Sequence, residues 1–362
     1  MMKILHYVDA ESISWQKAYI AHIKELEKLN LKNILMCRAG GGLEQLAGNN
    51  HIDCVTFRPL IASMPLLSPK FLKIINQVKP DIIHTRLSSA ANIAGAWRRF
   101  LNIPVIATFD KPAKAKYYKN LDYFIACAGW LKDYMAQHEG LDADKISVIY
   151  NPVNVDFYSR DESKYKAARA KLNIQEHEII FAGMGIYIHR KGFDVLIKAF
   201  AEVCKKFNNL KLMLIGGEAE EKGRRREYAN LARDLNILNK VLMPEDFLSD
   251  VREWLWAADV LVMPSRAEGF SIALLEGIAS GLPVIASDIA PFAEIIKPNL
   301  TGLIAKNNDI QDFSAKMLNM LNLNSEQRNK LAHNALQFIN HNCTPEVIAR
   351  QAANLYSKIA AV

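Results

Sequence analysis

The chain is poor in cysteine: five in 362 residues, Cys37, Cys54, Cys127, Cys204 and Cys343, with no CxxC pair. An odd, scattered set suggests neither a disulfide framework nor a thiolate metal site, so reduced and mostly buried thiols are expected. No apolar run reaches bilayer-spanning length before charge or glycine breaks it, which argues against an integral membrane protein. The start, Met1 to Ala10, has neither the apolar core nor the small-residue cleavage site of a secretory signal, so a cytoplasmic protein is expected. Low-complexity tracts and short repeats are also missing.

Half of the residues are hydrophobic and 23% are charged, the profile of a soluble globular protein. Such a length suits two hydrophobic cores better than one. The formal charge of +7 is uneven: residues 1–160 hold 20 Lys+Arg against 14 Asp+Glu. An excess in one half points to an acidic partner there, or only to solubility. Nucleic acid is not expected, because no recognition module is present.

Short β-branched runs alternate with helical spacing along the first half: Lys3–Val8, Asn33–Cys37, Cys54–Phe57, Asp81–His84, Val105–Phe109, Tyr123–Cys127 and Ile146–Tyr150. In Trp15–Asn30, Tyr19, Ile23, Leu26 and Leu29 recur at helical spacing. This βαβ alternation predicts a largely parallel sheet with helices on both faces. After the turn residues around Asn151-Pro152 the alternation restarts, with strands at Ile179–Gly183, Leu210–Ile215, Val241–Met243, Val260–Met263 and Pro283–Ala286. The expected class is α/β, with domains at 1–155 and 156–344 and a closing helix over 345–362 free to pack back on the first.

In open parallel sheets ligands lie beyond the carboxyl ends of strands, near helix N-termini. The loop after Val260–Met263 runs from Pro264 to Glu276. Gly269 lets backbone approach a ligand, and a helix opening near Ser271 offers N–H groups and a positive dipole end. Gly269, Phe270, Ser271 and Ile272 would thus seat a diphosphate. Glu268 and Glu276 flank that seat. A carboxylate there is repelled unless it does other work, such as accepting hydrogen bonds from sugar hydroxyls: Glu268 from a transferred hexose, Glu276 from a ribose diol. Taken singly, each reads as readily as a cap or a solvated residue. A second cluster, Gly183 to Gly192, sets Arg190 beside Lys191 at a strand-to-helix loop, where they would neutralise a leaving diphosphate or merely start a helix in solvent.

The block PSRAEGFSIALLEGIASGLPVIAS resembles the donor-binding signature of retaining glycosyltransferase family four, with two glutamates at this spacing and Gly281 to Ala286 matching its Gly-x-Pro-Val-x-Ala strand. Thr301-Gly302-Leu303 fits as well, and Asn151-Pro152-Val153 looks like the family's interdomain turn. The resemblance is strong from Ile179 to Asp309 and weak over the first domain. It implies the GT-B architecture, two doubly wound Rossmann-like domains facing across a cleft, with a nucleotide-sugar as substrate and no cofactor. In the family an arginine commonly follows the glycine after the strand. Here Met184 stands in that place beside Gly183, both counted as donor-binding, and Arg190 becomes the substitute, a pattern similar to lipopolysaccharide-core glucosyltransferases.

The first domain carries weaker signals. Asp9 to Trp15 stands where many relatives have a glycine-rich loop, and Gly40–Gly42, without a helix-opening fingerprint, reads as a flexible loop. Where the family often has a histidine, Asp110 falls at or beside the place, to accept from a sugar hydroxyl, assist acceptor deprotonation or simply cap the next segment. His84 and Arg86 are placed at the same cleft mouth by strand position, although a lone histidine there is more often structural. Lys111, Lys114, Lys116 and Lys119, with two tyrosines among them, read as a contact for a phosphorylated glycolipid or an anionic lipid surface, or as a solvated loop. Asp142-Ala143-Asp144 spells a metal-binding DxD but precedes a strand at the domain's edge and reads as a turn, so no metal is expected.

These readings converge on a retaining, metal-independent transfer of a hexose from a nucleotide-sugar, with UDP preferred, to a glycan or phosphorylated glycolipid in lipopolysaccharide or cell-surface polysaccharide synthesis. The enzyme would be cytoplasmic or peripheral on the inner face of the membrane. By the resemblance, retention proceeds by front-side attack, with the leaving phosphate taking the acceptor's proton. Two rivals stand beside it. One is a nucleotide-sugar epimerase of the same fold, against which the glutamate signature speaks. The other is a degenerate, non-catalytic membrane-surface binding protein, motivated by Met184 and the replaced glycine-rich loop.

Overall fold

The computed structural model describes residues 1–13, 15–61, 64–218 and 222–361. It divides into two compact units, Met1–Pro152 with Asn342–Val362, and Val153–His341.

The first unit is a parallel sheet of seven strands: β1 (Lys3–Val8), β2 (Lys32–Cys37), β3 (Asp53–Thr56), β4 (Ile82–Arg86), β5 (Val105–Phe109), β6 (Tyr123–Ala126) and β7 (Ile146–Val148). Their order is β3-β2-β1-β4-β5-β6-β7. Helices cover both faces, so the strands are near-continuous apolar runs; Ile4, Leu5, Tyr7 and Val8 of β1 are fully buried. The helix Gln16–Lys28 buries Tyr19, Ile20, Ile23 and Leu26 along one stripe. Helix Pro345–Ala360 starts with proline at its first position and the Thr344 hydroxyl accepting from Val347 N–H. It packs on Gln16–Lys28 and shares a core with Ile4, Ile82 and Ile106. The triple glycine corrects the sequence reading. Gly42 begins the helix Gly42–Asn49, and a Cβ on Gly41 would lie 2.1 Å from the Glu11 carbonyl oxygen, so glycine there lets the loop after β1 lie against the helix start.

Three histidines are buried in this unit, His6 on β1, His84 on β4 and His22 on the helix Gln16–Lys28. His6 bonds Asn33 at 2.9 Å and Tyr19 at 3.3 Å, His84 bonds Tyr356 and Thr108, and His22 Nδ1 has no partner among the described residues. Burial lowers all three, opposed at His6 by the Asn33 bond, and the nearby Arg86 charge lowers them further: His6 to about 4, His22 to about 3 and His84 well below its ordinary value. The unfolded chain takes up protons near pH 6.5 that the folded unit refuses, so this stability is present above pH 6.5 and is lost as pH falls towards 4. Urea titrations at pH 7.5 and 5.5 are expected to differ by on the order of 1 kcal/mol per histidine, and by less in His22→Leu. An equal loss in His22→Leu would remove His22 as a cause.

The second unit has six parallel strands, β8 (Ile179–Ile186), β9 (Leu210–Gly217), β10 (Val241–Leu242), β11 (Val260–Met263), β12 (Val284–Ser287) and β13 (Leu303–Ala305), ordered β10-β9-β8-β11-β12-β13. The sequence pattern missed β13, which is too short to show a period. It pairs with β12, Ile285 opposite Leu303, and buries Leu303 and Ala305. β8 also runs past Gly183, because Gly185 and Ile186 pair with Gly216 and Gly217 of β9. Phe181, Phe193, Phe200 and Phe313 fill the core. No described helix is long and apolar enough to cross a membrane.

Candidate active site

In the second unit the strand order reverses between β8 and β11, which brings their loops side by side at the carboxyl edge, where open α/β sheets bind ligands. The β8 loop ends in the turn His189–Lys191 and Gly192 at φ +70°. A Cβ on Gly192 would sit 2.1 Å from the Pro264 carbonyl oxygen, so glycine is what lets this turn touch the β11 loop. Arg266 clamps the two loops. Its guanidinium donates to both Asp194 oxygens at 2.8 and 2.7 Å and to the His189 carbonyl at 2.7 Å, while the Arg266 backbone N–H donates to the Arg190 carbonyl at 2.8 Å.

Inside that clamp Lys191 lies with its stem over Gly185, where a Cβ would come within 2.8 Å of Cε. Lys191 Nζ donates to Glu268 Oε1 at 2.6 Å, Ser265 Oγ to the same oxygen at 2.7 Å, and Arg190 Nη1 to Oε2 at 2.7 Å and to the Ala267 carbonyl at 2.8 Å. Burial pushes the Glu268 carboxyl up, but the charges of Lys191 and Arg190 and the hydrogen bonds outweigh it and hold the group below the usual carboxylate range. Two cations against one carboxylate leave one net positive charge. Three donors occupy a carboxylate with about four acceptor sites, so one remains for a hydroxyl.

Ser271 caps the helix Ile272–Ala279, its Oγ accepting from Leu274 N–H at 3.4 Å, so the helix opens where the sequence places it. Glu276, on the same helix, accepts from Tyr158 Oη at 2.5 Å. Burial raises its carboxyl to about 7, against the Tyr158 hydrogen bond and the pull of Lys191. Phe270 is buried and Ile272 half-buried. Gly183 faces Leu196 and Phe193, with a Cβ 2.6 and 2.9 Å from their side chains, so its smallness serves helix packing; Met184 beside it is buried.

In the first unit the reversal falls between β1 and β4. Arg86, ending β4, lies over the rings of Trp15 and Tyr19, 5.1 Å from each, and donates to Asp110 Oδ1 at 3.0 Å just beyond β5. Burial pushes the Asp110 carboxyl up against the attraction of Arg86 and Lys111. His84 is a correction: it does not reach the surface. It is 1% exposed, its ring nitrogens 2.7 Å from Tyr356 Oη and 2.7 Å from Thr108 Oγ1, because β4 puts it two residues deeper than Arg86 with Tyr356 of the closing helix against it. Lys111, Lys114, Lys116 and Lys119 are exposed on a loop anchored by Tyr118 against Phe109. In the loop after β1 Asp9 holds Arg38 by two hydrogen bonds; Ser14 lies outside the described residues. Asp142 accepts from Asp144 N–H at 3.0 Å, which closes a turn.

Two family models match the chain one after the other, Glycosyltransferase Family 4 over residues 19–157 and Glycosyl transferases group 1 over residues 164–338. The chain belongs to glycosyltransferase family 4. Among curated relatives, this family 4 chain is 27% identical to the uncharacterised glycosyltransferase MJ1178 of Methanocaldococcus jannaschii, over 71% of the chain and 70% of the relative. Other curated relatives are matched over as little as 39% of their length. The glycosyltransferase of Rickettsia africae superimposes with a TM-score of 0.88 at 21% identity, over 99% of this chain and 98% of that one. Anabaena Alr3699/HepE, solved in complex with UDP and glucose, gives 0.84 at 18% over 99% and 100%. The fold is GT-B.

Tyr158, Ser265, Arg266 and Gly185 belong to this candidate site without standing out in the sequence. Ser265 and Arg266 lay inside the glutamate block, and their neighbourhood was a usable signal. Tyr158 had none, since 118 residues separate it from Glu276.

Proposed function

We propose that the chain is a retaining, metal-independent hexosyltransferase that takes a UDP-sugar as donor and a glycan or phosphorylated glycolipid as acceptor. The observation that carries this reading is the buried Lys191–Glu268 pair, joined by the half-exposed Arg190, beside the capped helix start at Ser271. Its surplus positive charge suits a diphosphate, and preorganised charge at a leaving group is the largest usual source of such catalysis. The free acceptor site on Glu268 suits a hexose hydroxyl, and Glu276 suits the ribose. The UDP and glucose held by Anabaena Alr3699/HepE support the choice of base and sugar. The arginine adjoining Lys191 supports a role in lipopolysaccharide or cell-surface polysaccharide synthesis. The Arg86–Asp110 pair and the exposed lysines after it support a phosphorylated acceptor in the first unit.

The test is a metal-free panel of UDP-, GDP- and ADP-sugars, followed by saturation-transfer NMR and nucleotide release. Selective binding and release with a UDP-hexose, lost in Glu268→Ala, is the expected result. Donor binding is also expected to be tighter at pH 8 than at pH 6, because the Glu276 carboxylate is discharged as pH falls through about 7. Silence across the panel would turn the reading towards a non-catalytic binding protein, and preference for another base would correct the donor.

A further inference from the structure

Six of the twelve large apolar side chains that stand in solvent among the described residues share one place. They are Leu60, Ile61, Met64, Leu66, Leu67 and Phe100, each between 45 and 78% exposed. Five of them lie on the segment that follows the carboxyl end of β3, the edge at which Arg86 and Asp110 also stand. The described residues of the segment are held in this outward form. Leu60 N–H donates to Ser68 Oγ at 3.1 Å, Met64 N–H to the Ile61 carbonyl at 3.0 Å and Leu67 N–H to the Met64 carbonyl at 3.0 Å. Trp97 Nε1 donates to the Pro65 carbonyl at 3.1 Å, tying the segment to the helix Ser88–Trp97. Phe100 rests 5.7 Å from Trp97, with the Arg99 guanidinium 4.7 Å over its ring.

The same helix supports the basic loop. The one-turn helices Pro65–Leu67 and Ala115–Tyr117 both pack on Ser88–Trp97, which Arg98–Phe100 continues, so the apolar segment and the lysines after Asp110 share one support. Charge here is mostly positive. Residues 54–119 contain eleven Lys+Arg and two acidic residues, Asp81 and Asp110; Asp110 pairs with Arg86 and Asp122, beyond the stretch, holds Arg98, which leaves Arg58, Arg99 and the lysines after Asp110 exposed. This stretch alone exceeds the net +7 of the whole chain.

An apolar patch by itself fits several occupants. A second copy of the chain would set two strongly positive surfaces against each other, which like-charge repulsion opposes. An extended anionic sheet with an apolar interior satisfies both features at once. We propose that this face docks on an anionic lipid bilayer, with Leu60, Met64, Leu67 and Phe100 entering the headgroup boundary and Arg58, Arg99, Lys114 and Lys116 meeting lipid phosphates. The inference deepens the glycolipid reading of the acceptor, since such docking would present the carboxyl edge of this sheet to molecules anchored in the bilayer. Binding is measured without turnover, so the two readings fail separately.

The test is co-sedimentation of the full chain with vesicles of phosphatidylcholine, alone or mixed with phosphatidylglycerol. Binding to the mixed vesicles is expected to exceed binding to the neutral ones by about tenfold or more and to fall with added salt. Leu60→Ser with Leu67→Ser, and separately Arg58→Glu with Arg99→Glu, are each expected to weaken it about tenfold, with circular dichroism and nucleotide release unchanged. Equal binding to both vesicle types, or none, would overturn the proposal. So would a dimer in analytical ultracentrifugation that the leucine variants dissolve, which would give the face to a second copy.

Discussion

Lys191→Ala is expected to lower nucleotide-sugar turnover by about two to three orders of magnitude, the usual effect of removing one preorganised charge contact from a transition state. Lys191 is 8% exposed, and its ammonium is held by Glu268 at 2.6 Å on the carboxyl edge of the sheet, so little reorganisation is needed when charge grows on a leaving diphosphate. The loss should fall mainly on kcat, because the interaction strengthens as the glycosidic bond breaks. Arg190→Ala is the useful contrast. Its side chain is 44% exposed, water screens it, and a loss of about tenfold is expected. Initial rates of nucleotide release check both. Unchanged turnover in Lys191→Ala would remove the β8 loop from the active site.

The second large effect concerns stability. Glu268→Ala is expected to destabilise the second unit by about 3 kcal/mol, the usual result of stranding one member of a buried ion pair. The cost is asymmetric. Without Lys191, Glu268 keeps Arg190 and Ser265; without Glu268, the Lys191 ammonium loses the one partner found among the described residues. Lys191→Ala should therefore cost clearly less than Glu268→Ala, and Lys191→Met combined with Glu268→Leu should recover most of the loss while turnover stays low. Urea unfolding of the three variants measures this directly. Equal costs for the two single variants would mean that the pair is solvated in solution.

The two effects bear on one another, because a poorly folded Glu268→Ala would lose donor binding for a trivial reason. The double variant separates them. If it is stable and still inactive, the cluster acts in the chemistry; if it is stable and active, the ion pair is structural only.

Much of the frame was legible along the chain. The runs of β1 to β12 stood out by β-branched composition, Ser271 by its place before an apolar helix, and the two glutamates by their spacing with a glycine between. Each of these is a local property, set by residues within a turn or two. β13 escaped because three residues carry no period, and the helix at Gly42 escaped because three glycines resemble a loop until the Glu11 carbonyl oxygen, 2.1 Å from a Cβ on Gly41, shows what they accommodate.

By itself, then, the sequence determined that two parallel α/β sheets form, which loops follow their strands and which carboxylates and cations those loops carry, because periodicity, turn residues and helix caps act between near neighbours. The tertiary structure alone decided which of these groups meet. Lys191 reaches Glu268 across 77 residues, and His84 bonds Tyr356 across 272 and so becomes an interior group rather than a surface one. Burial and partner choice depend on strand order and on what packs above each strand, and the spacing of residues along a chain does not contain that information.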